Sequence, residues 1–122
     1  MNSITQNQKT ATVSSFAAIT FEEFQKWDLR VAKVLTAERV PKSKKLLKLE
    51  IDLGEKRTLV AVIGQDYTPE DLTGKEIVVV ANLEPTKLMG VESQAMLLAA
   101  RDEKGLKLIV PEGEILPGTR VK

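Results

Sequence analysis

Neither histidine nor cysteine occurs in the 122 residues. Their absence removes the imidazole and thiolate ligands of nearly all zinc sites, the Ser-His and Cys-His nucleophilic pairs, and any disulfide staple. Aromatic side chains are scarce, with three Phe, one Trp and one Tyr, so the row of stacking rings that grips single-stranded nucleic acid is missing. No apolar run approaches the roughly 18 residues of a membrane span, and before Ala17 the chain has neither the basic cluster nor the apolar stretch of a secretory signal. Net charge is only +1, which excludes a whole-molecule field drawing the protein onto a polyanion or an anionic membrane. Phosphate-cradling Gly-x-x-x-x-Gly-Lys, Gly-x-Gly-x-x-Gly and EF-hand patterns are absent as well. The chain thus reads as a cytoplasmic binding module of one domain, with no catalytic residue, metal ligand or cofactor site to nominate.

What is present has a clear order. Residues 1–17 are rich in Ser, Thr, Gln and Asn and hold too little large apolar surface to offset ordering entropy, so they read as a disordered leader or linker. Residues 18–122 form the domain. It opens with Thr20 as N-cap and Glu23 three residues on, a capping box, with Ile19 and Phe24 placed as a hydrophobic staple. A short helix over Phe21–Lys26 follows. Leu29–Val40 carries Val31, Val34 and Thr36 and favours a bent strand. Leu46–Leu53 alternates strictly, with Leu47, Leu49, Ile51 and Leu53 on one face and Lys48, Glu50 and Asp52 on the other, the period of a half-buried strand. Gly54–Lys56 turns the chain into a third strand, Thr58–Ile63. Thr68 and Pro69, with acids in the first turn and Gly74 as terminator, mark one or two helical turns.

Glu76–Ala81 is rich in β-branched residues and suited to burial on both faces. Leu83–Glu92, with Pro85 and Gly90, reads as a loop. Ala95–Ala100 and Leu106–Val110 pair around the Asp102–Gly105 turn, and Pro111–Lys122 is a tail punctuated by Pro and Gly. Three strands, a short helix and two more strands is the order of the mainly β, five-stranded Greek-key barrel of the OB-fold. An SH3-like barrel or a small sandwich is compatible with order alone.

Charge is uneven along the chain. From Gln25 to Glu50 eight basic residues face three acids, a local excess of five. The connection Pro41-Lys42-Ser43-Lys44-Lys45 would place a basic loop at one rim of the barrel, where it could meet phosphates or simply blunt an edge. The acidic pairs Glu22-Glu23 and Glu70-Asp71 fall in first helical turns, where they favour the helix dipole. The few rings sit at helix boundaries, where core or staple packing explains them.

The stretch VANLEPTKLMGVESQAMLLAA, Val80–Ala100, closely resembles the tRNA-binding domain found at the C-terminus of many methionyl-tRNA synthetases, in stand-alone dimeric tRNA-binding proteins and in the endothelial monocyte-activating polypeptide. The resemblance extends over Ile19–Val121. Its markers are Asp28-Leu29-Arg30-Val31, Pro41 with Lys45-Leu46, Arg57 with Tyr67, Asn82-Leu83 and Pro85 with Lys87, and Ser93 with Met96. It implies an OB barrel with a C-terminal extension that binds the outer corner of tRNA by shape, without catalysis. Carried over by position, it nominates Arg30, Lys33 and Lys45 for phosphates, and Asn82, Lys87, Ser93 and Met96 for the recognition surface. Each has a structural alternative: Arg30 can pair with an acid, Asn82 can close a turn, and Met96 can pack in the core. Val40, Lys44, Val62 and Ala95 depart from common family residues, Val40 standing where many relatives have a histidine. The family's dimers imply a homodimer, and its fused forms imply a methionyl-tRNA synthetase catalytic domain as partner. Related export chaperones keep a protein-interaction role open as the alternative.

Overall fold

The computed structural model describes residues 16–122. The expected leader over residues 1–17 lies outside the described residues except for its last two. Two short helices and ten strands follow in order: α1 (Phe21–Gln25), β1 (Leu29–Arg39), β2 (Leu46–Asp52), β3 (Lys56–Val62), α2 (Pro69–Leu72), β4 (Glu76–Val80), β5 (Thr86–Leu88), β6 (Val91–Ser93), β7 (Met96–Leu97), β8 (Ala99–Asp102), β9 (Gly105–Leu108) and β10 (Arg120–Val121). Among the described residues no helix is long and apolar enough to cross a membrane.

The main sheet runs β3-β2-β1-β4-β7 and curls into a nearly closed barrel of OB type. Its long first strand makes this possible. β1 pairs with β4 from Leu29 to Lys33 and with β2 from Lys33 to Arg39, and a register shift between Val34 and Thr36 bends it from one partner to the other. Such a bulge sharpens twist where a sheet must close. At the bend, the Gly74 N–H donates to the Val34 carbonyl at 2.8 Å and the Val34 N–H to the Lys75 carbonyl at 2.9 Å. These bonds fix the end of α2, whose Leu72 is fully buried in the core. Both helices start as the sequence predicts, with reciprocal capping bonds between Thr20 and Glu23 and between Thr68 and Asp71.

Alternation along β2 sends Leu47, Leu49 and Ile51 into a core shared with Ala32, Val34, Leu59, Ile77 and Val79. A satellite cluster lies apart from it: Val40, Leu46 and Val60 are buried, with Leu88 and Val91 packed against them. The barrel closes between β3 and the β6–β7 segment largely through side chains. Gln94 pairs with Thr58 through its backbone N–H, 2.8 Å, and through its side-chain oxygen, which accepts from the Thr58 N–H at 3.0 Å.

Four expectations change. Residues 83–92, expected as a loop, contain a hairpin in which Thr86, Lys87 and Leu88 pair with Ser93, Glu92 and Val91. The strand expected over Ala95–Ala100 divides, since β7 pairs with β4 whereas β8 pairs with β9. The tail returns as β10, pairing Arg120 with Arg30 and Val121 with Leu29. Core packing does not account for the N-terminal rings: α1 buries none of its residues, and Phe21 is 71% and Trp27 56% exposed.

Candidate nucleic-acid interface

The connection between β1 and β2 is closed by its own hydrogen bonds. Val40–Ser43 form a turn closed by the Ser43 N–H donating to the Val40 carbonyl at 3.1 Å, with Lys42 in the left-handed region at φ 67°, as the third position of a type II turn after proline requires. The Ser43 hydroxyl oxygen then accepts from the backbone N–H groups of Lys45 and Leu46 at 3.3 and 3.1 Å. From beneath, the Gly64 N–H donates to the Lys45 carbonyl at 2.7 Å, an approach only glycine allows, since a Cβ there would lie 2.8 Å from the Lys44 carbonyl oxygen. Lys42, Lys44 and Lys45 all point to solvent.

The hairpin β5–β6 lies against the same corner. Leu88 and Val91 pack on Val40, Leu46 and Val60, which brings the hairpin tip, Met89-Gly90, beside the basic turn. Lys87 is exposed on β5, across the hairpin from Glu92. Ser93 anchors this hairpin to the barrel: its buried hydroxyl accepts from the Val60 N–H at 3.0 Å and donates to the Ala95 carbonyl at 2.9 Å.

Cations divide by type. All five arginines are engaged within the protein: Arg30 with Asp28 at 2.7 Å and the Gly118 carbonyl at 3.0 Å, Arg39 with the Gly64 carbonyl, Arg57 with Glu55 and the Ala81 carbonyl, Arg101 with Asp66, and Arg120 with the Gln25 carbonyl. Among the described residues only Lys48 of the lysines has an acid within ion-pair range, Glu50 at 3.9 Å. The ammonium groups at the corner are therefore available to an external anion, and as point charges they favour no particular planar edge.

The seven nominated residues thus fall in different places. Lys45 lies on the basic turn and Lys87 on the hairpin that packs against the same apolar cluster, and Ser93 anchors that hairpin. Lys33 is exposed on β1 but sits opposite Glu76 on one side and Asp52 on the other. Arg30 and Asn82 line a polar cleft of about 400 Å³ at the far end of the barrel, some 20 Å from Lys45 by strand rise along β2. There Arg30 holds the tail, and Asn82 splints the entry to β1, accepting from the Asp28 N–H at 3.0 Å and donating to the Lys26 carbonyl at 2.7 Å. The Arg30 guanidinium, hydrogen-bonded to Asp28, holds that carboxyl below the usual carboxylate range against a modest opposing effect of burial. Met96 is half-buried on β7 opposite Val80.

Comparison with known proteins decides the family. The family model for a tRNA binding domain matches residues 29–120. This chain belongs to the tRNA-binding domain family. The methionine–tRNA ligase of Thermotoga maritima is 62% identical over 105 residues, 85% of this chain and 17% of that protein. This tRNA-binding domain therefore spans under a fifth of that relative's length. A MetRS-related protein from Pyrococcus horikoshii superposes with a TM-score of 0.82 at 41% identity, over 88% of this chain and all of the other. The chaperone CsaA of Bacillus anthracis gives 0.78 at 34% identity, over 87% of this chain and all of that one.

Three residues of the corner were not singled out from sequence for the tRNA-binding domain. Lys48 borders the groove between hairpin and barrel with Thr58 and Gln94, and the polar face of alternating β2 was its signal. Gln94 closes the barrel, for which the sequence offers no local signal. Met89 stands at the hairpin tip, hidden because the segment reads as a loop.

Proposed function

We propose that this domain binds folded tRNA at its outer corner, by shape and backbone charge, through the lysine-rich corner formed by the β1–β2 turn and the β5–β6 hairpin. The observation that supports it is the division of cations: each arginine is hydrogen-bonded within the protein, whereas Lys42, Lys44, Lys45 and Lys87 are exposed without an ion-pair partner. Lysine contacts to phosphates carry affinity without reading bases, which suits a ligand recognised as a fold. Ser93 serves this surface by holding the hairpin, and Arg30 and Asn82 by holding the far end of the barrel. The domain acts as a non-catalytic module in the cytoplasm, alone or joined to a methionyl-tRNA synthetase.

The working unit is a homodimer. The corner of one barrel offers only a few free cations, and non-specific contacts of that number give roughly 10⁻⁴ to 10⁻⁶ M at physiological salt. Two barrels on one tRNA gain avidity without new contacts. The surface that favours pairing lies around α1, where Phe21, Phe24, Trp27 and Val121 line an apolar cleft of about 440 Å³ beside Arg120 and Lys122. That cleft and the likeness to CsaA also favour, as a second reading, a protein-binding role.

Titration of the chain with bulk tRNA at 50 and 200 mM salt, with light scattering alongside, tests the proposal. Saturable binding that weakens steeply with salt, by a particle of twice the chain mass, supports it. Salt-insensitive or absent binding refutes the first part, and a mass of 13.5 kDa unchanged on tenfold concentration refutes the second.

A further inference from the structure

Among the described residues, only Lys42, φ 67°, and Met89, φ 51°, hold positive φ without being glycine. They stand at the tips of two different loops, and the satellite cluster clamps those loops side by side through Val40, Leu46, Leu88 and Val91. Met89 opens the two-residue connection of the β5–β6 hairpin, with Gly90 next at φ 81°. Asn, Asp and Gly are the residues such a turn favours, and an unbranched apolar side chain there sits in a region that costs free energy. Met89 recovers little by burial, because it is 58% exposed. The hairpin that carries it packs beside the turn that holds the unpaired lysines Lys42, Lys44 and Lys45.

We infer that the paired tips form one RNA-contacting edge in which Met89 lies against the face of an unstacked nucleobase while Lys42 and Lys44 hold the phosphates on either side of it. The inference rests on the tRNA-binding reading and deepens it. Lysines alone would register any polyanion. A polarisable apolar group between them adds a contact that a fully paired helix, with its bases stacked away, does not offer, whereas the corner of a folded RNA, where loops meet, does. Apolar side chains set among cations are used in this way against bases in other nucleic-acid complexes.

The left-handed geometry allows an unusually clean experiment, because asparagine is at ease where methionine is strained. Met89→Asn should leave the melting temperature unchanged or raise it, and weaken binding to bulk tRNA by roughly three- to tenfold, near or below the lower end of what a base-stacking side chain supplies. Met89→Leu should retain most of the affinity. On a fully paired RNA duplex, parent and Met89→Asn should bind alike. Lys42→Asn should weaken binding to both RNAs and lower the log–log salt slope by roughly 0.7–0.9, the share of one phosphate contact, whereas Met89→Asn should leave that slope unchanged. If Met89→Asn binds tRNA as the parent does, or weakens tRNA and duplex equally, the inference is overturned although the tRNA-binding reading stands. A change in self-association in place of RNA affinity would likewise overturn it. Failure of the parent chain to bind tRNA at all would refute the underlying reading instead.

Discussion

Replacing Ser93 with alanine removes the hydroxyl that joins β6 to β3 and leaves two backbone groups without a partner. The Val60 N–H, on a residue with no solvent exposure, loses its 3.0 Å acceptor, and the Ala95 carbonyl loses its 2.9 Å donor. A buried donor left unsatisfied costs about 1–3 kcal/mol, and a carbonyl tolerates the loss somewhat better. Since alanine opens no appreciable cavity, about 2 kcal/mol is the expected total. In a domain of about 100 residues each kcal/mol moves the melting temperature by roughly 4–8 °C, so Ser93→Ala should melt roughly 8–16 °C below the parent. Thermal denaturation followed by circular dichroism measures this. If Ser93 acts by holding the hairpin, tRNA affinity measured well below both melting points should change by less than about threefold. A melting temperature within about 3 °C of the parent would refute the reasoning, because it would mean the hydroxyl does not hold the barrel closed. A large loss of affinity with an unchanged melting temperature would place Ser93 among the RNA contacts.

Other outcomes follow from the same geometry. Lys45→Ala and Lys87→Ala should each weaken tRNA binding by roughly five- to tenfold at constant melting temperature, and filter binding at two salt concentrations should show a shallower salt slope for each. Arg30→Ala should do the reverse, lowering the melting temperature and exposing the tail to proteolysis with little change in tRNA affinity, because its guanidinium is committed to Asp28 and the Gly118 carbonyl. Asp28 should make the fold sensitive to acid. Its pKa is depressed in the folded state, so its contribution is complete above the unfolded value near about 3.9 and is lost as pH falls through the lower folded value. Acid titration should therefore show parent stability declining more steeply below about pH 4 than that of Asp28→Asn.

Much of the barrel is legible in the sequence because its causes are local. Leu47, Leu49 and Ile51 announce β2 by period alone, and Thr20 with Glu23, or Thr68 with Pro69 and Asp71, announce the helix starts by their capping chemistry. The β5–β6 hairpin is not legible, since its strands are three residues each, Pro85 and Gly90 punctuate it, and Met89 stands where a turn-forming residue would have revealed it. Charge shows that the β1–β2 connection is basic but not which cations are free. Arg30 and Arg57 meet acids only two residues away, Asp28 and Glu55, but each is also held by a carbonyl, 88 and 24 residues away, that no local pattern reveals. The exposed rings of α1 run against the ordinary expectation that large apolar side chains are buried, and a single chain's sequence does not say whether a second molecule will cover them.

Competition for this domain between folded tRNA and a single-stranded RNA homopolymer of equal length, at one fixed salt concentration, separates recognition of a folded shape from simple attraction to phosphate. Lysines held in a fixed corner, with few stacking rings, predict that folded tRNA displaces the homopolymer at roughly a tenth of the concentration needed for the reverse, corresponding to about 1.4 kcal/mol of preference. Equal displacement by the homopolymer would contradict it.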